Sequence, residues 1–300
     1  ALGARPAYVA PVLGAAGSLV LILGAPDPAG PLLLTLSSAG LVVVNGIIVR
    51  KHTALHTVAI ATGALALLAG NVLWLAGQSI TAAVPWWVAF LVLTIVGERL
   101  ELSRVLRPSR LAVRLFAISA GAVVAGLILS LADFTWGVRL MNLGFVTLAL
   151  WLARYDISRK TVRRPGLTRF VAVNLLLGYV WLAIGGLIGL RHAGITAGLA
   201  YDAWLHAILL GFVFGMIFAH ALIILPAISG LSIPFHRALY GPTILMQIGL
   251  LMRVGGDLAT QLDLRRWGGL LNGLAILWFL LMVIFLAIRE RRRQSQAATP

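Results

Sequence analysis

The stretch Tyr201-Asp-Ala-Trp-Leu-His-Ala-Ile-Leu-Leu-Gly-Phe-Val-Phe-Gly-Met-Ile-Phe-Ala-His220 decides how this chain is read. It is apolar almost throughout, and His206 and His220 stand fourteen positions apart in it. In a regular α-helix, fourteen steps return to within about 40° of the start and climb roughly 21 Å. The two imidazoles are therefore expected on one side of one helix, near the two edges of a hydrocarbon layer about 30 Å thick. Polar side chains at such depth are costly and mark functional sites. Imidazole is also an axial ligand of haem iron. The spacing predicts two metal or haem positions, one toward each membrane face.

The rest of the composition agrees with a membrane setting. Hydrophobic residues make up 60% of the 300 and charged residues only 11%, which excludes an ordinary soluble domain. Without cysteine there are no disulfides, iron–sulfur clusters or thiolate ligands, so a metal would have to use His, carboxylate, Met or backbone. The net charge of +15 does not point to nucleic acid. Nearly all charged residues sit in short hydrophilic joints between apolar runs, a pattern of membrane topology.

Apolar runs fall at about Val9–Gly24, Leu32–Val49, Leu55–Ala76, Val84–Gly97, Leu111–Ala132, Val138–Ala153, Phe170–Leu190, Ala203–Leu225, Leu239–Val254 and Gly268–Ile288. They predict an all-α, polytopic helix bundle of about ten transmembrane helices, a single transmembrane domain over 1–300 ending in a basic cytoplasmic tail at 289–300. Four runs are short, so nine or eleven spans stay open. One face would collect Arg5, Arg50, Lys51, the clusters at 99–114 and 154–169, Arg237 and the tail, which is 19 of the 24 basic residues. The other face keeps Arg139, Arg191, Arg253, Arg265 and Arg266. The positive-inside rule then places both termini in the cytoplasm, in a multi-pass protein of the cell's inner (plasma) membrane. The first apolar run leads straight into others, so no cleavable signal peptide is expected. A tight turn is expected at Ala25-Pro-Asp-Pro-Ala-Gly30.

In this orientation the histidines sort into an inner set (His52, His56, His220, His236) and an outer set (His192, His206). His52 and His56 share a helix face by their four-residue spacing. His206, His220, His56 and His236 are the candidate metal ligands, and His52 joins the first three as a candidate for cofactor binding. The bland alternatives are an interfacial cation for His52, a solvated loop residue for His192 and His236, and a helix–helix hydrogen bond for His206 and His220. Arg253 and Arg139, near the outer edge, are candidates to pair with haem propionates, or they anchor at headgroups. Asp202, one turn before His206, could orient that imidazole or favour the helix dipole. Gly211 and Gly215 admit a close neighbouring helix.

The residues from Asp202 to Ala219 resemble the NnrS family, in which a histidine–alanine pair opens a helix that continues with glycine, glycine, methionine and alanine. Here those positions are His206, Ala207, Gly211, Gly215, Met216 and Ala219. Leu245–Val254 and the last apolar run are similar to the family's ending, so the resemblance spans about Asp202 to Arg289. It implies a haem-binding membrane protein linked to nitric oxide stress, distantly like haem–copper oxidases, with His206 as a metal-centre ligand, one or two haems b and copper as a further metal. The family has about twelve spans and a glycine–histidine–threonine–glycine element after this helix. This chain lacks that element, and His236 in Pro234-Phe-His-Arg is its loose stand-in. The His-x-His and His-His pairs of haem–copper oxidases are absent too, which argues against oxygen reduction.

Three functions are weighed. The first is a haem- or haem/copper-binding protein that handles nitric oxide or takes electrons from quinol or another donor. It leaves open whether the chain is an oxidoreductase, and an oligomer or larger membrane complex remains open too. The second is a proton-coupled transporter with histidine relays, disfavoured by the scarcity of mid-membrane acids. The third is a non-catalytic membrane subunit of a respiratory complex. No nucleotide-binding loop or nucleophile triad occurs.

Overall fold

The computed structural model describes residues 8–24 and 28–297. Arg5, the start of the expected turn at 25–27 and the last three residues of the basic tail lie outside the described residues. Among the described residues the chain is helical throughout, without a strand. Its elements are α1 (Val9–Ile22), α2 (Ala29–Lys51), α3 (Leu55–Leu75), α4 (Ile80–Ser103), α5 (Arg110–Leu129), α6 (Phe134–Tyr155), a single turn α7 (Ser158–Thr161), α8 (Leu167–Arg191), α9 (Leu199–His206), α10 (Gly215–Ser229), α11 (Tyr240–Leu258) and α12 (Leu262–Ala297). Between α9 and α10 the helix continues without a break as a π-helical segment, Ala207–Phe214.

Long helices follow from the composition, because apolar surroundings leave each peptide group to find its partner within its own segment. The starts of α4, α5 and α6 are capped by side chains. Ser79 and Ser109 accept from the Ala82 and Ala112 N–H groups at 3.3 and 3.2 Å, and Asp133 accepts from Trp136 N–H at 3.0 Å. Each satisfies an amide that the first turn leaves open. Gly230, with φ at +70°, closes α10. That left-handed conformation suits glycine.

Eight helices among the described residues are long and apolar enough to cross a membrane, against about ten expected. α1, at 14 residues, reaches only about 21 Å. α11 has the length but carries Gln247, Arg253 and Asp257. Several helices outrun their apolar cores: the Val84–Gly97 run sits within α4 at 24 residues, and the basic tail continues α12 as helix to Ala297.

The residues cluster into two compact units, Ala1–Gly144 and Phe145–Pro300, with the division inside α6. In the first unit, Asn71 of α3 ties its neighbours. Its amide donates to the Leu34 carbonyl of α2 at 3.0 Å and to Ser38 Oγ at 3.2 Å, and Trp87 Nε1 of α4 donates to its Oδ1 at 2.9 Å. The hairpin of α5 with the first half of α6 closes through Gly126 and Gly137, where a Cβ would strike the backbone of Met141 and Ser130.

In the second unit, α8 packs along the helix Leu199–Ser229 through glycines on both partners. A Cβ at Gly178 would meet Met216, one at Gly185 would meet Ile208, and one at Gly211 would meet the Trp181 ring. Trp181 in turn donates from Nε1 to Gln247 Oε1 of α11 at 2.7 Å. α11 and α12 form a second close hairpin. There Gly249 faces Asn272, Gly256 faces the Arg265 backbone, and Gly268 faces the Arg253 backbone.

This packing sets an expectation for single substitutions. Gly211→Val should cost about 1–3 kcal/mol through overpacking, read as a lower unfolding midpoint in neutral detergent. Gly273→Ala, with open space around the added Cβ, should be neutral or stabilising.

Candidate functional site

The π-helical segment governs where the two central histidines point. His206 is the last residue of α9, and His220 lies in the second turn of α10. An i→i+5 closure holds about one residue more per turn than i→i+4, and each inserted residue turns everything beyond it by about 100°. The expected offset of about 40° thereby grows to about 140° or more. The expectation that both imidazoles share one side is thus corrected: they leave the helix on nearly opposite sides.

Burial along the segment follows the same geometry. Ala203, Ala207, Gly211, Gly215 and Ala219 recur every four residues and are all buried. On a regular α-helix such a stripe would drift by about 40° at each repeat, roughly 160° over its length. The wider π turns hold it in line against α8. This four-residue recurrence of small residues was present in the sequence and signals the widening.

Both histidines are anchored in the same manner. His206 Nδ1 lies 2.8 Å from the Asp202 carbonyl, and His220 Nδ1 lies 2.9 Å from the Met216 carbonyl, each four residues earlier. A carbonyl can only accept, so in both hydrogen bonds Nδ1 carries the proton. An Nδ1–H held on a carbonyl is the arrangement by which ligating histidines are oriented.

His206 borders an ion cluster formed by α9, α11 and α12. Arg253 donates from Nε and Nη2 to Asp202 Oδ2 at 3.1 and 2.6 Å. Arg265 lies 2.7 Å from Asp257 through Nε and 3.4 Å from Asp202 through Nη2. Arg253 also lies 3.6 Å from Asp257, and His206 Nδ1 lies 3.5 Å from the Asp202 carboxylate. Two carboxylates thus balance two guanidiniums. The Asp257 side chain is 0% exposed, a position a carboxylate holds only with cations against it. Asp257 and Arg265 did not enter the sequence-based site. The Arg253–Asp257 spacing of four on one helix was the available signal. The Asp202 carbonyl and carboxylate link this cluster to the His206 ring.

The other candidates are dispersed. Arg253, expected to meet a haem propionate, has its guanidinium engaged by Asp202 and Asp257. Arg139 stacks over the Trp136 ring at 4.8 Å. His236 is exposed, and its Nδ1 accepts from Ala238 N–H at 3.2 Å to cap a 3₁₀ turn. Its proton therefore sits on Nε2, the reverse of His206. His192 follows the last residue of α8. His52, at the end of α2, is exposed, and His56, in the first turn of α3, is buried. These last two belong to the first unit; His206, His220 and His236 belong to the second. No group of three or more His, Asp or Glu side chains that could hold a metal ion occurs among the described residues.

A family model described as a domain of unknown function, DUF8744, matches residues 1–288. Comparison with curated proteins and with solved structures gives no match.

The ion cluster makes its own prediction. Asp257→Leu leaves two guanidiniums against one carboxylate and should lower stability by about 3–5 kcal/mol, the cost of breaking a buried pair from one side. Arg266→Ala, which removes an ion pair to Asp263 between two exposed side chains, should leave the unfolding midpoint unchanged.

Proposed function

We infer, for a chain that belongs to the DUF8744 family, a multi-pass inner-membrane protein that binds haem through His206 and His220. The observation that carries this reading is the paired anchoring of the two rings. Each has Nδ1 fixed on the carbonyl four residues back, which sets the orientation of the ring. A haem asks only one or two imidazoles of the protein, whereas a copper site asks for a group of three donors, so the donor set fits haem and does not fit copper. The rings leave opposite sides of one helix, and two separate haems b are assigned in preference to one shared centre. Haem held by a single imidazole keeps an open position for nitric oxide, and haem held by two passes electrons.

The protein's own part is orientation. Asp202 places the His206 ring through its carbonyl, and Arg253 and Arg265 hold Asp202. Ten crossings, with α1 and α11 completing the eight long apolar helices, put both termini in the cytoplasm by the distribution of arginine. The similarity of 202–289 to NnrS proteins supports the same chemistry, with nitric oxide as ligand and quinol or another membrane donor as the electron source.

A second reading is favoured by one observation. Asp202, His206 and Asp257 converge in one cluster, and embedded carboxylates beside histidine are the apparatus of proton-coupled transport.

The test is haem content. Protein purified from cells fed a haem precursor, or loaded with hemin, should show a Soret band and a reduced α-band. His206→Ala and His220→Ala should each remove about half of the bound haem, a one-in-two loss if each ring holds one haem, and the double variant nearly all. Haem retained in the double variant overturns the assignment. A haem-free wild type that acidifies proteoliposomes under a substrate gradient establishes the transport reading in its place.

A further inference from the structure

The first unit contains an open cleft of about 690 Å³ where the end of α2, the start of α3 and the end of α4 meet. Arg50, Lys51, Glu98, Glu101, Arg104 and Arg107 gather at this end of the unit, which marks it as a water-facing edge of the membrane region. The volume lies in the range of small-molecule sites. Its walls are mixed, with Ile48 and Ile60 beside the polar groups.

Two buried polar side chains in the wall have hydrogen-bonding capacity left over. Asn45, 9% exposed, donates from its amide to the Leu41 carbonyl at 2.9 Å, and its Oδ1 has no partner among the described residues. The His56 ring, in a residue 8% exposed, makes no hydrogen bond among the described residues, and the Glu101 carboxylate lies 3.9 Å from its Nε2. That distance is too long for a hydrogen bond. It is short enough for one ammonium nitrogen to donate to both. The backbone around His56 is fixed by Thr57, whose hydroxyl accepts from Ala54 N–H at 3.1 Å and donates to the His52 carbonyl at 2.8 Å.

The charges choose the ligand. Glu98 and Glu101 are two of only nine acidic residues in a chain of net charge +15, and both line this cleft. They lie one turn apart on α4, and Arg104 is the one guanidinium in the wall. An anion would meet two carboxylates here. A bare metal ion would need converging donors, and no group of three exists among the described residues. An ammonium offers three N–H donors, and the wall offers carboxylate, amide oxygen and imidazole nitrogen as acceptors.

We propose that the cleft between α2, α3 and α4 binds a primary ammonium group, with Glu98, Glu101, Asn45 and His56 as its acceptors. The group could be carried by a soluble amine or by an aminophospholipid headgroup at the membrane edge. The site is independent of the haem assignment, since all its residues lie in the first unit.

Two measurements on the full chain in neutral detergent separate the sources. Titration calorimetry with spermidine reports soluble-amine binding, and native mass spectrometry reports retention of phosphatidylethanolamine over phosphatidylglycerol. Glu98→Gln and Glu101→Gln, both on exposed side chains, are checked for an unchanged unfolding midpoint. Saturable spermidine binding that weakens at least about ten-fold in each variant, as expected for loss of a charged hydrogen-bond partner, establishes the soluble source. Ethanolamine-lipid enrichment lost in the variants establishes the lipid source. If neither ligand is held, or both are held equally well by the variants, the proposal is wrong.

Discussion

Hydrocarbon offers a peptide group no hydrogen-bonding partner, so every amide in Leu199–Ser229 must find a carbonyl in its own segment. The same helix must also bring Ala207, Gly211 and Gly215 against α8, where glycine on each side allows close approach. A regular α-helix meets the first demand but rotates a four-residue stripe out of contact within a few turns. The π-helical segment Ala207–Phe214 meets both. It keeps the chain helical and holds the small residues in line. Its consequence lies beyond packing, because it resets the direction of everything that follows, His220 included.

The helix that carries both histidines is thus fixed by contacts that involve neither. Along one edge, glycine and alanine interlock with α8. At its start, Asp202 is held by Arg253 and Arg265, which Asp257 balances from beneath. Such clusters contribute little net stability, because desolvation offsets most of the Coulomb attraction. Their value is in position: the four charges tie α9, α11 and α12 to one another. The His206 ring inherits that arrangement through the Asp202 carbonyl.

The first unit uses polar groups differently. Asn71 joins three helices with every hydrogen bond of its amide satisfied on neighbouring elements, a device for specificity inside an apolar bundle. Asn45, two turns before the end of α2, satisfies only its donor side within its own helix. The contrast between a completed asparagine and an incomplete one, on adjacent helices of one unit, separates a structural polar contact from one that faces a cleft.

Helical class, membrane character and the positions of most helices were legible in the sequence, because apolar length and the backbone's need for internal partners allow little else. The two histidines and the carboxylate beside them were legible as well. Their relative direction was not. Fourteen residues specify an angle only if the turn is known, and the turn was decided by how closely α8 can approach. Arg253 was legible as a cation near an edge, but its partner Asp257 on the same helix and Arg265 on the next meet only once α11 and α12 fold back on each other. Composition and order determined which groups could carry chemistry in this protein. Tertiary packing decided which way they face, since direction around a helix depends on the width of each turn and that width answers to the neighbouring helix.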